Sequence, residues 1–127
     1  MGPTGPPGAS PPLESRIAFT FSNSWRVFGG GTGTPPWGHA GYYKHNGIVY
    51  LEGLLDRAGG NWVTGVILTL PVGYRPPSDR LFHVGTNPAN AATRVDMQTN
   101  GQLFLQVGGA SNPVGYLALS GIFFRAA

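Results

Sequence analysis

The fold is decided by the stretch Arg94-Val95-Asp96-Met97-Gln98-Thr99-Asn100-Gly101-Gln102-Leu103-Phe104-Leu105-Gln106-Val107. Apolar residues fill every second position before and after a turn signal, which is the period of a half-buried β-strand. A two-residue loop at Asn100-Gly101 would set Met97 opposite Phe104 and mix the two faces. A three-residue loop from Thr99 to Gly101, with the glycine in the left-handed conformation, sets Met97 opposite Leu103 instead. The pattern therefore predicts an antiparallel hairpin whose buried face is formed by Val95, Met97, Leu103, Leu105 and Val107.

Similar short strands are predicted along the rest of the chain. Ile17, Phe19 and Phe21 alternate with smaller residues, and the longer apolar run at 48–55 is typical of a strand covered on both faces. Further strands are predicted at 66–70, 80–84, 94–98, 103–107, 116–119 and 122–125. About eight or nine short strands divided by turn clusters predict an all-β fold, an antiparallel β-sandwich or jelly roll, with a barrel as the alternative.

The composition supports strands and excludes several kinds of site. The chain has 21 glycines and 12 prolines, which disfavour helix, and only 10% of its residues are charged. It contains no cysteine, so disulfides and thiolate metal sites are excluded. The three histidines, His39, His45 and His83, lack metal-ligand spacing, and His83 is predicted to be half-buried in a strand. We therefore expect no metal and no cofactor.

Charge and hydropathy argue against two classes of partner. The net charge of +3 comes from seven arginines scattered singly and one lysine, whereas a nucleic-acid footprint would cluster them. No apolar run approaches the ~20 residues that span a bilayer, so membrane insertion is not expected. The first residues also lack a charged-then-apolar signal segment, so we expect no cleaved secretory leader.

The first nine residues after Met1 are three glycine-led triplets, Gly2-Pro3-Thr4, Gly5-Pro6-Pro7 and Gly8-Ala9-Ser10. Glycine at every third position is the collagen rule, because only glycine fits at the axis of three polyproline-type strands. A disordered Pro/Gly-rich linker is the alternative. So short a triple helix needs a trimeric head to align its chains. We therefore divide the chain into a collagen-like stalk remnant and linker at 1–13 and a β head at 14–127.

Several segments resemble a head domain found at the C-terminus of phage minor tail and tail-fibre proteins, especially from phages of actinobacteria. The resembling segments are Ser24-Trp25, Tyr43 to Gly53, Leu70-Pro71-Val72-Gly73-Tyr74-Arg75-Pro76-Pro77, Arg94 to Met97 with Asn100-Gly101, and Leu119 to Arg125. They cover nearly all of the chain after Glu14, and members of this family often carry collagen-like repeats before the head. The resemblance implies a homotrimeric β-sandwich or jelly-roll head at the tail tip or fibre of a virion. It supplies no defined binding residue.

The Leu-Pro-x-Gly-Tyr-Arg-Pro phrase also has a physical interpretation. Pro71 ends a strand because it lacks a ladder donor, and Gly73 permits a tight turn. Tyr74 is predicted to lay its ring on the sheet edge and keep its hydroxyl in solvent. This corner is expected to serve the geometry of the fold rather than a ligand.

Catalytic chemistry is not predicted. A glycosidase needs two carboxyl groups about 5–10 Å apart across the scissile bond. Glu52 and Asp56 straddle the end of one predicted strand and are the only pair that suggests this spacing; the alternative is a solvated Asp56 beside Arg57. No serine lies in a nucleophile elbow. We therefore expect a protein that is not an enzyme.

Aromatic residues in loops are the best candidates for ligand binding, since sugars stack their C–H faces on aromatic rings. Trp37 and His39 lie in a rigid proline-containing loop, Asn61 and Trp62 follow a Gly-Gly turn, and Tyr43 is one of two neighbouring tyrosines that point to opposite faces of a strand. The alternative is that these rings pack at a trimer interface or close the ends of the sandwich.

Three functions remain open from the sequence. The leading hypothesis is a phage tail-fibre head, a homotrimer that attaches the virion to host cell-surface polysaccharide. The second is a trimerisation clamp that aligns the collagen-like stalk and has no ligand. The third is a collagen-tailed trimeric head like those of complement or tumour-necrosis-factor relatives.

Overall fold

A computed structural model describes residues 14–28, 39–58, 62, 64–86, 93–106 and 116–127. These residues form an all-β fold with antiparallel sheets, as the sequence predicts. The strands are β1 Thr20–Phe21, β2 Trp25–Val27, β3 Gly41–His45, β4 Ile48–Glu52, β5 Leu54–Arg57, β6 Gly65–Thr69, β7 Arg80–Val84, β8 Thr93–Met97, β9 Gln102–Gln106, β10 Leu117–Ala118 and β11 Phe123–Arg125. In the described part of the chain, no helix is long and apolar enough to cross a membrane.

Three sheets share one apolar core. The largest sheet has the strand order β1-β6-β9-β8-β7, and two three-stranded sheets have the orders β10-β5-β2 and β11-β4-β3. Each sheet turns alternate residues inward, because successive side chains of a strand point to opposite faces. The fully buried side chains come from all three sheets and their connections: Val49, Leu51, Leu55, Ile67, Leu68, Leu70, Val95, Met97, Leu103, Leu105, Leu117 and Leu119.

The β8–β9 hairpin forms as predicted. Met97 pairs with Leu103 and Val95 with Leu105, and all four side chains are fully buried. The Gly101 N–H donates to the Gln98 carbonyl at 2.9 Å, and Gly101 has a φ of 87°, in the left-handed region that glycine tolerates best. The three-residue turn is therefore confirmed. Val107, the fifth residue of the predicted face, lies outside the described residues.

The prediction of one long strand at 48–55 is wrong. The run divides at Gly53 into β4 and β5, which lie in different sheets. Gly53 has a φ of 108°, and a Cβ there would lie 2.5 Å from the Cα of Ala40, so the bend requires glycine. Val49 and Leu51 are buried, whereas Ile48, Tyr50 and Glu52 on the alternate positions are half-buried. Strand β4 is thus covered by the core on one face only.

Smaller differences concern short elements. The alternation that begins at Ile17 becomes an isolated bridge from Ile17 to Tyr42, followed by the two-residue β1. Strand β2 was not predicted, since it has only three residues and follows Asn23 and Ser24, whose positive φ values mark a turn. His83 is exposed on β7, the edge strand of the largest sheet, and not half-buried. The collagen-like triplets at 1–13 lie outside the described residues.

We expect Gly101→Ala to lower the free energy of unfolding by about 2–4 kcal/mol. A Cβ at this position would collide with the Leu70 carbonyl oxygen and approach the Arg75 Nε to 2.7 Å, besides holding a left-handed φ. Gly121→Ala is the matched control, because Gly121 has a φ of 99° but no atom within 4 Å of the added Cβ, so it should cost only about 1 kcal/mol. Urea denaturation of both variants measures the difference; equal losses would contradict the steric argument.

Candidate functional site

The outer face of the β11-β4-β3 sheet carries a row of three aromatic side chains. Strand pairing places Tyr43 opposite Tyr50, and Tyr50 opposite Phe123. The Tyr43 and Tyr50 rings stack with centroids 5.1 Å apart and planes 20° from parallel, and the Tyr50 and Phe123 centroids are 6.1 Å apart at 31°. We call these three residues the aromatic row. The first pair is an offset stack and the second is tilted, and Tyr43 and Phe123 form the two ends of the row.

At the Phe123 end the row borders an apolar groove of about 310 Å³. Leu81 and Phe123 are its most exposed apolar side chains, at 53% and 58% exposure. Its lining residues are Ile48, Arg80, Leu81, Phe82, Phe123, Phe124 and Arg125, which include two arginines and no carboxylate. Exposed apolar surface of this kind, rimmed by charged side chains, marks interaction sites on proteins.

At the Tyr43 end lies a polar pocket of about 250 Å³, lined by Glu14, Arg16, Tyr43 and Glu52. The Arg16 Nε donates to the Glu52 Oε1 at 2.9 Å. Burial, and next the Glu52 carboxylate, raise the pKa of the Tyr43 hydroxyl, so this hydroxyl remains a neutral donor at physiological pH. The pocket therefore combines an aromatic ring with donors and acceptors.

Gly41 creates the room in which Arg16 reaches Glu52. It lies two residues before Tyr43 on β3 and pairs with Glu52 on β4. A Cβ at Gly41 would lie 2.5 Å from the Cγ and 2.8 Å from the Cδ of Arg16. The Arg16 side chain therefore crosses the sheet over a position that only glycine leaves empty.

Glu14 joins the start of the described chain to the sheet. One carboxylate oxygen accepts the Lys44 backbone N–H at 2.9 Å, and the other accepts the Tyr74 hydroxyl at 2.6 Å. The Lys44 ammonium lies 4.8 Å from the centre of the Tyr74 ring and donates to the Gly73 carbonyl at 2.7 Å. We call Glu14, Lys44 and Tyr74 the Glu14 cluster. The sequence predicted a Tyr74 hydroxyl in solvent, and the structure adds a partner that was not predicted, because this hydroxyl donates to Glu14.

The hydrogen bonds of the Glu14 cluster shift two pKa values. The Tyr74 hydroxyl and then the Lys44 N–H lower the pKa of the Glu14 carboxyl below its ordinary 4.5. The same bond to Glu14, followed by burial, raises the pKa of Tyr74 to about 12. Both shifts favour the ionised carboxylate with the protonated phenol at neutral pH.

Each of the five carboxylates accepts a hydrogen bond within the chain. The partners of Glu14 and Glu52 are given above. The remaining contacts are Asp56 with Arg26 at 2.8 Å, Asp79 with the Thr99 N–H at 2.9 Å, and Asp96 with Arg94 at 2.9 Å and Gln106 at 3.2 Å. Glu52 and Asp56, the pair considered from the sequence, lie in different sheets. Among the described residues, no cluster of three or more His, Asp or Glu side chains is placed to hold a metal ion.

The residues singled out from the sequence fall in different places. Tyr43 belongs to both the aromatic row and the polar pocket. His39 is exposed and borders a separate groove with Arg16 and Phe21. Trp62 is only 7% exposed, and its ring centre lies 5.4 Å from that of Trp25, so the ring packs in the core instead of facing solvent. Trp37 and Asn61 lie outside the described residues.

Tyr50, Phe123 and Arg16 were not identified from the sequence, and Glu52 was considered only as a possible catalytic carboxylate. For Tyr50 and Glu52 the sequence signal is alternation, since they alternate along β4 with the buried Val49 and Leu51. That alternation marks them as outward-facing, but only the strand pairing shows which residues of other segments stand beside them.

Comparison with solved structures gives one informative likeness. The chain aligns with the receptor binding protein (gp15) of Listeria phage PSA at a TM-score of 0.66 over 91% of its residues. Its fold resembles that of a phage receptor-binding protein. The sequence identity is 17%, and the chain spans 66% of the length of that protein, so the likeness concerns the fold. No protein-family model matches the sequence, and no curated protein matches it.

We expect Glu14→Gln to make the protein less sensitive to acid. A carboxyl whose pKa is lowered on folding adds stability above its unfolded pKa, and that stability is lost as the pH falls through its folded pKa. The melting temperature of the native chain should therefore fall on acidification below about pH 4.5 more steeply than that of Glu14→Gln.

Tyr74→Phe tests the same hydrogen bond from the other partner. It keeps the ring beside Tyr42 and under Lys44 but removes the hydroxyl that donates to Glu14. Its melting temperature should also fall less steeply than that of the native chain below about pH 4.5. Parallel profiles for the native chain and both variants would contradict the role of the cluster.

Proposed function

We propose that this chain is the receptor-binding head of a phage tail fibre and that it attaches the virion to polysaccharide on the host cell surface. The observation that carries the proposal is the fold likeness to a phage receptor-binding protein at a TM-score of 0.66. The aromatic row supports it, since exposed rings beside hydrogen-bonding side chains are suited to sugars. The protein then belongs at the tail tip or fibre of the virion.

The proposed attachment involves no chemical step. Hydrolysis of a glycoside needs a proton-donating carboxylic acid and a second carboxylate on the other side of the bond. All five carboxylates are hydrogen-bonded within the fold, and Glu52 and Asp56 are each tied to an arginine. This arrangement favours binding over catalysis.

We further propose that three copies assemble through the apolar groove. Leu81 and Phe123 expose more than half of their surface there, and covering them removes apolar area from water. If the glycine-led triplets at 2–10 form a collagen-like stalk, that stalk needs three chains, which a threefold head would supply. Three weak sites on one head, and several heads on one virion, give firm attachment through effective concentration.

A trimerisation clamp is the second candidate, and the Glu14 cluster favours it. Glu14 directly follows the stalk and linker segment and is fixed to β3 and to the 70–77 corner by two hydrogen bonds. A clamp without a ligand would assemble into trimers but would not bind cell walls.

Binding to cell walls tests the main proposal. Fluorescently labelled head is mixed with purified walls from a panel of Gram-positive bacteria, and the fraction that sediments is measured. We expect at least one wall type to retain the head without release of reducing sugar. Trimers that no wall retains would favour the clamp, and release of sugar would identify an enzyme.

The oligomeric state tests the interface. Light scattering should give three times the chain mass of 13.4 kDa for the native protein and a lower mass for Leu81→Asp or Phe123→Asp, because each substitution replaces apolar surface that the contact would cover with a charged group. Val72→Asp is the control, since Val72 is 81% exposed and does not line the groove. A native monomer, or a Leu81→Asp trimer as stable as the native one, would rule out this interface.

A further inference from the structure

The geometry points to the polar pocket as the place where one neutral hexose unit of the host polysaccharide binds, an inference that rests on the proposed function. The pocket lies at the Tyr43 end of the aromatic row, whereas the proposed subunit contact lies at the Phe123 end. The pocket and the apolar groove share no lining residue.

Tyr43 supplies a stacking surface. Its ring stacks on that of Tyr50 with centroids 5.1 Å apart, and Tyr43 is one of the four residues that line the pocket. A pyranose ring presents a flat set of C–H groups that packs well on such a surface. Because Tyr50 and Phe123 back the Tyr43 ring in a row, the ring is held in place before a ligand arrives, which lowers the entropic cost of binding.

The Arg16–Glu52 pair supplies the hydrogen bonds. Their contact uses Nε of the guanidinium and Oε1 of the carboxylate, and both side chains keep more than a third of their surface exposed. The other guanidinium N–H groups are donors, and Oε2 is an acceptor. Adjacent hydroxyls of a hexose each donate one hydrogen bond and accept others, so a donor and an acceptor held side by side match a vicinal diol.

Charge and size narrow the class of ligand. Two carboxylates and one guanidinium line the pocket, so its lining carries one net negative charge although the chain carries +3. The Lys44 ammonium, which acts on Glu14, is held at the Gly73 carbonyl and over the Tyr74 ring and does not line the pocket. An anionic sugar or a phosphate would be repelled there, whereas a neutral sugar would not. The volume of about 250 Å³ lies below the roughly 300–1,000 Å³ of drug-sized sites, so the pocket takes one sugar ring while the rest of the polymer lies outside.

The test is an NMR titration of the full-length chain with methyl glucoside and methyl galactoside as neutral probes and glucuronate as the anionic probe. The Arg16 Nε–H resonance and the Tyr43 ring resonances report occupancy. We expect a neutral probe to bind with a dissociation constant on the order of 1 mM and glucuronate to bind at least about tenfold more weakly.

Substitutions separate the contributions of Tyr43, Arg16 and Glu52 to sugar binding. Tyr43→Ala and Arg16→Met should each weaken binding of the neutral probe by about tenfold or more, and Tyr43→Phe, which keeps the stacking surface, by only about two- to threefold. Glu52→Gln should weaken the neutral probe and reduce the discrimination against glucuronate. The matched control is Arg26→Met, which removes a similar arginine–carboxylate pair, Arg26–Asp56 at 2.8 Å, from a different sheet and should leave binding unchanged.

Wall sedimentation with the same variants separates this inference from the proposed function. If walls retain the native head and the Arg16→Met head equally, or if neither neutral probe shifts the pocket resonances, the pocket is not the sugar site and adhesion stands. If no wall retains the native head, adhesion fails whatever the titration gives. Loss of wall retention in Tyr43→Ala and Arg16→Met, with unchanged melting temperatures, supports both.

Discussion

The close approach of the β8–β9 turn to the 70–77 corner is the contact on which the head depends. The Leu70 N–H donates to the Gly101 carbonyl at 2.8 Å, and the Leu70 carbonyl accepts Arg75 Nε at 2.9 Å. A side chain at position 101 would separate these segments. The corner in turn holds Tyr74 against Tyr42 and beneath Lys44, where its hydroxyl reaches Glu14. Glu14 also lines the polar pocket, together with Arg16. The glycine turn is therefore connected to the candidate site through the 70–77 corner and Tyr74.

The sequence predicted those parts of the fold that depend on residues close together in the chain. The β8–β9 pairing follows from alternation and one turn, and the strand at 80–84 has the bounds that its residues indicated. The division at Gly53 was missed because an apolar run has the same composition whether it forms one strand or two. What separates the two strands is the crowding of Gly53 against Ala40, a contact between distant segments.

The candidate site was only partly predictable for the same reason. Tyr43 was singled out as an aromatic residue on a strand, but its neighbours Tyr50, Phe123 and Arg16 come from three other segments. For Trp62 the sequence left open a ring that binds a ligand and a ring that packs, because the Gly-Gly-Asn sequence before it is typical of a loop that presents a side chain to solvent. The decisive factor is Trp25, which lies far away in the sequence and covers the indole of Trp62.

The position of Glu14 has a mechanical consequence for a tethered head. In the proposed fibre, a pull along the chain that reaches Glu14 loads the hydrogen bonds that this side chain accepts from the Lys44 backbone and the Tyr74 hydroxyl. Arg16 is only two residues further along the chain. A load on Glu14 and a load on the Arg16–Glu52 pair would therefore both act on the β11-β4-β3 sheet, and the Tyr74 bond would pass part of it through the 70–77 corner to the β8–β9 turn.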